Sequence, residues 1–211
     1  MRSLTLVLLG VAAADVIPLE PARPDADDVA ARMAEACGPV YAQQEIAFTF
    51  VVEKDGEEKA RRRHVWSPQG GTVTSSWEGF ETTLVKLDPP TGAEGAAPED
   101  VEQAHGAFIN DSYWLLAPCK VLDPGVRRSL DTEGRLVLSF EGVGLTPGDT
   151  YTFTIGPDGL PTQWAFTLQS GRQGAFTWAG HQRFGALNLS TRHVAIGDGG
   201  VVIRFEEISV R

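Results

Sequence analysis

The chain has 211 residues, 42% of them hydrophobic, with 28 acidic against 18 basic side chains and a formal net charge of −10. That length suits one domain with at most an appendage, and the apolar content is enough for a packed core, which excludes a largely disordered chain. The acidic balance argues against nucleic-acid backbones and anionic membrane surfaces as partners, because like charges repel.

The first residues read as a leader. Arg2 precedes an apolar stretch from Leu4 to Val11, and Ala12 and Ala14 fit an A-x-A cleavage site. The stretch is too short to cross a bilayer. Residues 1–14 are therefore expected to be a signal peptide, and export makes the mature chain periplasmic or secreted. No later segment is apolar enough for a membrane span, so no stable membrane insertion is expected. Residues 15–24 are rich in proline and read as an extended connector.

A short amphipathic helix follows. Asp25 or Asp27 can cap it, Val29, Met33 and Cys37 lie four apart on one face, and Gly38-Pro39 stops it. Strands begin at Ile46. Ile46, Phe48, Phe50 and Val52 point one way, and Lys54-Asp55-Gly56 signals a hairpin into a partner strand ending near Trp66. Thr72–Trp77 and Phe80–Leu87 read as another strand pair. Asp88 to Glu99 holds three prolines and two glycines and reads as a loop. Pro98 suits the first turn of a helix whose stripe is Val101, Ala104, His105, Phe108 and Ile109. Asn110-Asp111-Ser112 is expected to end that helix and cap a second short one carrying Tyr113, Trp114, Leu115 and Leu116, with Pro118 as its stop.

From Val126 the chain reads as β to its end, with turns at 131–134, 146–149, 156–159, 170–174 and 197–200. Such spacing fits a meander of hairpins, about ten strands in all. Phe140, Phe153, Trp164, Phe166, Phe176, Trp178 and Phe205 recur every second residue within these strands and give the sheet one aromatic face. The expected fold is mainly β with α: a curved antiparallel sheet with helices over its concave face.

No residue pattern marks a catalytic centre. The four histidines, His64, His105, His181 and His193, make no metal-binding pair, so neither a metal nor a cofactor is expected. There is no G-x-S-x-G turn, and Cys119 with His105 and Asn110 carries no nucleophile signature. Adjacent residues of a strand face opposite ways, so Glu206 and Glu207 do not read as a carboxylate pair. Arg61-Arg62-Arg63-His64 is the one basic run. Arg61 and Arg63 share one face, and Arg62, His64 and Trp66 the other. That run is either a solvated strand face or an arginine at a cavity mouth. His105 is either a satisfied interfacial histidine or a ligand contact. Cys37 and Cys119 either form one disulfide or pack as two buried thiols. Five tryptophans are many for this length, and broad flat rings suit an apolar cavity.

The stretch from His105 to Gly125, with its NDSYWLLAPCKVLDPG core, resembles uncharacterised exported bacterial proteins. Val143–Phe153, Gly159–Trp164, Trp178–Gly185 and Phe205–Val210 are similar to their later pattern. The order of elements resembles the LolA/LolB-like superfamily. That resemblance implies a half-open β-barrel over residues 25–211, with helices on its concave face and an apolar ligand or lipid acyl chain as cargo. No lipoprotein leader is present, which argues against the anchored outer-membrane acceptor. The candidate cavity residues are Phe48, Phe50, Trp66, His105, Phe108, Trp114, Trp164, Phe166, Phe176 and Trp178. The reading that results is a non-catalytic carrier or sensor of an apolar ligand. The alternatives are an enzyme whose polar residues converge only in the fold, and an interaction module with a filled core.

Overall fold

The computed structural model describes residues 25–140, 148–197 and 199–211. The expected leader and connector, residues 1–24, lie outside the described residues, as do 141–147 of the later motif.

Helix α1 (Ala26–Cys37) opens the described chain. The Asp25 side chain accepts a hydrogen bond from the Asp28 amide at 2.8 Å, satisfying one of the first-turn donors that a helix leaves free. Ala30, Met33 and Cys37 form its buried stripe. Gly38 ends it at φ +110°, where a Cβ would collide with the Ala186 carbonyl; only glycine fits.

The strands then follow in chain order: β1 (Ile46–Lys54), β2 (Glu57–Ser67), β3 (Thr72–Trp77), β4 (Phe80–Leu87) and β5 (Pro90–Gly92). Helix α2 (Pro98–Leu116) comes next, and a 3-10 turn over Ala117–Lys120 closes it. The rest is β6 (Val126–Leu130), β7 (Leu136–Phe140), β8 (Thr150–Ile155), β9 (Pro161–Thr167), β10 (Gln173–Thr177), β11 (Ala179–Phe184), β12 (Leu187–Val194) and β13 (Val201–Val210). Eight strands pair in the order β11-β12-β13-β1-β2-β3-β4-β5, and five in the order β10-β9-β8-β7-β6. The chain passes between these sheets at Trp178. There Trp178 donates its amide to Thr162, Ile196 donates to Ala175, and Phe176 bridges Ala195. The result is a curved, open antiparallel wall whose outer strands, among the described residues, are β5 and β6. Helix α2 is the segment that joins those edges, and it lies across the concave side against β3, β4, β5 and β12. Helix α1 packs beside it on β6, β7 and β12.

Local chemistry explains most boundaries. Asp55 (φ 54°) and Gly56 (φ 83°) both take the left-handed conformation that a tight hairpin requires. Four readings from the sequence are corrected. The 88–99 segment is not all loop: Pro90–Gly92 adds an edge strand, where a missing N–H is tolerated. The turn read at 170–174 closes at Leu168–Arg172, and Gly174 belongs to β10, because the Phe166 ring lies where its Cβ would be. Asn110-Asp111-Ser112 does not break α2, because Asp111 and Ser112 are buried within one continuous helix. Finally, Glu206 and Glu207 do share a face. A bulge opposite Ala47–Thr49, with Glu207 at φ 49°, turns both carboxylates to the convex side. There Glu206 meets Arg61 at 2.7 Å, and Glu207 meets Arg63 at 3.1 Å and the Thr49 hydroxyl at 2.8 Å.

Cys37 at the end of α1 and Cys119 in the turn after α2 form a disulfide, with Cα atoms 5.2 Å apart across 82 residues. Closing a loop of this length removes chain entropy worth about 4–5 kcal/mol from the unfolded state. The Cys37→Ser, Cys119→Ser double variant should therefore lose a few kcal/mol in denaturant unfolding; an unchanged midpoint would show that the bond constrains nothing.

Candidate functional site

The concave face is built by strand alternation. Phe48 and Phe50 of β1, and His64 and Trp66 of β2, point inward with Val73 and Ser75 of β3. Phe108 of α2 descends onto them, its ring centroid 5.6 Å from Trp66 and 5.7 Å from His64. In the five-stranded sheet, Phe153, Trp164, Phe166 and Phe176 occupy the same face, and Trp178 sits at the crossing between sheets. Trp114 of α2 closes over them, 4.3 Å from Trp164 and 4.8 Å from Phe176. The two halves join through a ring path: Trp178 to His193 at 4.2 Å, His193 to Phe205 at 5.8 Å, and Phe205 to Phe48 at 5.8 Å.

Nine of the ten residues anticipated at the cavity thus lie in one aromatic assembly. His105 does not join it and is only half-buried. The buried stripe of α2 runs through Ala104, Phe108, Asp111, Ser112 and Leu115, which leaves position 105 on the flank.

Sequence reasoning missed the polar centre of this face. The Asp111 carboxylate is wholly buried and bound from several sides. Arg62 donates Nε to Oδ2 and Nη2 to Oδ1, both at 2.6 Å. His64 Nε2 lies 2.9 Å from Oδ2, and its Nδ1 lies 2.8 Å from the Ser75 hydroxyl. Asn110 Nδ2 adds a bond to Oδ1 at 2.9 Å. Arg62 also lies over the Phe50 ring, 5.1 Å from its centroid. The signal was available in part. Alternation places an arginine and a histidine inward, and two inward bases call for a buried acid. Only the expected helix break at 110–112 hid that acid.

Ser75, His64 and Asp111 have the residue types of a nucleophile, base and orienter. Their setting differs from that of a working triad. All three are fully buried, and the carboxylate is already held in a bidentate arginine fork. With α2 in place the Ser75 hydroxyl is closed off, and the group joins helix to sheet as a clamp. Among the described residues no cluster of three or more histidine, cysteine or acidic side chains could hold a metal. A groove of about 800 Å³ opens where β2 runs past the β3–β4 turn, lined by Lys59, Arg61, Arg63, Trp77, Glu78 and Gln103, among others. Its lysine and the convex-face arginines are paired with Glu57, Glu58, Glu206 and Glu207.

Two more polar groups sit within the aromatic assembly. Burial pushes the His193 imidazole down to about 3, and its Nδ1 donates to the Thr177 carbonyl at 3.3 Å. Burial pushes the Tyr113 phenol well above its ordinary value. Both side chains are neutral in the folded protein at neutral pH.

Removing Arg62 strands a buried charge. Arg62→Met should cost about 3–5 kcal/mol, and adding Asp111→Asn to that variant should recover part of the loss. Additive losses in thermal or denaturant unfolding would mean that the two side chains do not act as a pair. His193 makes a pH prediction. Its folded pKa is depressed, so below about 6.5 the unfolded chain takes up a proton that the fold refuses. Stability should fall as pH drops from about 6.5 toward about 3, by at most about 1.4 kcal/mol per unit from this residue. His193→Gln should flatten that slope; equal slopes would exclude the burial argument.

No family model matches the chain, and a search of curated proteins finds no match. Solved structures are similar in fold. A LolA superfamily protein from Nitrosomonas europaea superposes with a TM-score of 0.53 at 10% identity, covering 90% of this chain and 94% of that one. A DUF1329 family protein from Desulfovibrio piger gives 0.46 at 11% identity, over 87% and 90%. A putative outer membrane lipoprotein-sorting protein domain from Vibrio parahaemolyticus gives 0.45 at 10% identity, over 86% and 91%. At such identities the likeness is one of architecture, and the chain has a LolA-like fold.

Proposed function

We propose that this chain is an exported carrier or sensor that holds an apolar, lipid-like ligand against its concave face, beneath α2. The observation that carries the reading is the continuous aromatic face from Phe48 to Phe176, roofed by a helix whose buried polar contacts converge on one residue. A face of this kind binds chains of methylene groups without charged anchors, at about 0.8 kcal/mol for each methylene buried. Displacing Phe108 and Trp114 with α2 would uncover rings from both sheets at once. The LolA-like architecture supports the same reading, since the superfamily resemblance implies apolar cargo. Among the described residues no helix is long and apolar enough to cross a membrane. The leader-like start supports work in the periplasm or the extracellular space.

The test uses an uncharged apolar fluorophore, N-phenylnaphthylamine, with the purified protein. Its emission should rise on binding and fall when a long-chain lipid is added. Trp114→Ala removes a half-buried ring from the roof and should weaken binding roughly tenfold while the protein stays folded. No gain in emission under any condition would leave a filled core and favour an interaction module instead.

A further inference from the structure

The polar atoms of the aromatic assembly hold information that its apolar atoms do not. The Trp164 indole Nε1 and the Tyr113 hydroxyl are buried, and among the described residues neither has a hydrogen-bond partner, a condition shared by Trp66 Nε1, His181 Nε2 and His193 Nε2. Trp164 is 3% exposed. Their rings are neighbours, with centroids 6.4 Å apart, and Trp114 touches Trp164. Native interiors rarely leave buried donors unmatched, and two in adjacent rings call for an explanation. Tryptophan and tyrosine here are also chosen over phenylalanine, which would fill similar space without a polar atom. Resting on the carrier reading above, we propose that Trp164 and Tyr113 form a two-donor subsite for an uncharged oxygen of the bound lipid, an ester or ketone carbonyl, and that the site selects esterified over free acyl chains.

The charge distribution around the pair supports a neutral head. His193, which packs on Trp114 and Trp178, is held uncharged by burial. Tyr113 is held as the phenol. The cation closest along these ring contacts is Arg172, which is exposed and lies over Phe166, one ring further out; Asp123, whose negative charge also acts on the Tyr113 phenol, is paired with Lys120. A carboxylate placed between Trp164 and Tyr113 would lose its hydration and be repelled by Asp123, whose charge already acts on Tyr113 and already takes up Lys120. An ester carbonyl loses little hydration, and its oxygen has two lone pairs with which to accept from such donors.

The experiment displaces bound N-phenylnaphthylamine from the full mature chain with methyl dodecanoate or with dodecanoate at neutral pH. The ester should compete at least tenfold better, the effect of two modest hydrogen bonds together with an avoided desolvation. Tyr113→Phe and Trp164→Phe should each reduce that preference several-fold while still binding the fluorophore. Tyr113→Phe should also leave the unliganded melting temperature unchanged or higher, because it removes a buried hydroxyl without an acceptor. Should Trp164→Phe fail to fold, Tyr113→Phe alone decides. Equal competition by ester and acid, better competition by the acid, or a preference that survives Tyr113→Phe would each overturn the subsite while leaving the carrier reading in place. A melting temperature lowered by Tyr113→Phe would also overturn it, since the hydroxyl would then have an internal partner. If the fluorophore does not bind the wild-type chain, the carrier reading falls, and the subsite falls with it.

Discussion

A carboxylate buried in the middle of an apolar face constrains everything around it. Asp111 comes from the helix, and Arg62 and His64 come from a strand. None of the three can be satisfied within its own element. Apolar packing is non-directional and would let a helix slide along a sheet by a turn at small cost. A bidentate fork does not tolerate such a shift, because both oxygens and both guanidinium nitrogens must stay in register. Against a well-packed apolar replacement the pair adds little net stability. What it adds is position: Phe108 and Trp114 are each set over one half of the curved wall. Ser75 completes the arrangement by fixing the far nitrogen of His64, so the imidazole is held from both sides.

The rest of the interior is built for contact rather than direction. Rings from β1, β2, β9, β10, β13 and α2 meet edge-on or tilted across the seam between the two sheets. Such geometries suit the ring quadrupole, and they also allow one ring to be exchanged for another apolar group of similar breadth. A directional clamp beside a permissive aromatic face is a division of labour within one surface. The clamp sets where the roof lies, and the rings supply the apolar surface beneath it.

Much of this was legible in the residues. Period-two alternation placed Phe48, Phe50, Arg62, His64 and Trp66 on the inward face, and the pairing of β1 with β2 follows that register residue by residue. The Asp-Gly turn at 55–56 and Pro98 at the start of α2 were equally readable, because each is a local matter of dihedral angles. Asp111 was not. Short polar side chains compete with the helical backbone, so Asn-Asp-Ser reads as a break unless a partner elsewhere occupies them. That partner lies 49 residues away. Glu207 escaped for a related reason. Counting by twos presumes an unbroken strand, and a single left-handed residue reverses every later assignment. The aromatic residues posed a different difficulty. Core and pocket have the same composition, so the alternation located the face without saying what covers it.

The pairing of β1 with β13 makes the first strand depend on the strand farthest from it in sequence. Strand β1 stands in the interior of the larger sheet, between β2, its neighbour in sequence, and β13, whose pairing begins with Ile46 against Val210. Any process that delivers the polypeptide from its N-terminus therefore presents the central strand long before its second neighbour arrives. Until then β1 keeps one row of backbone groups unpaired, and Phe48 and Phe50 lack the Phe205 ring. The larger sheet is thus topologically incomplete until β13 is in hand. Loss of β13 (Val201–Val210) would bare an edge at the centre of the wall, not at its margin.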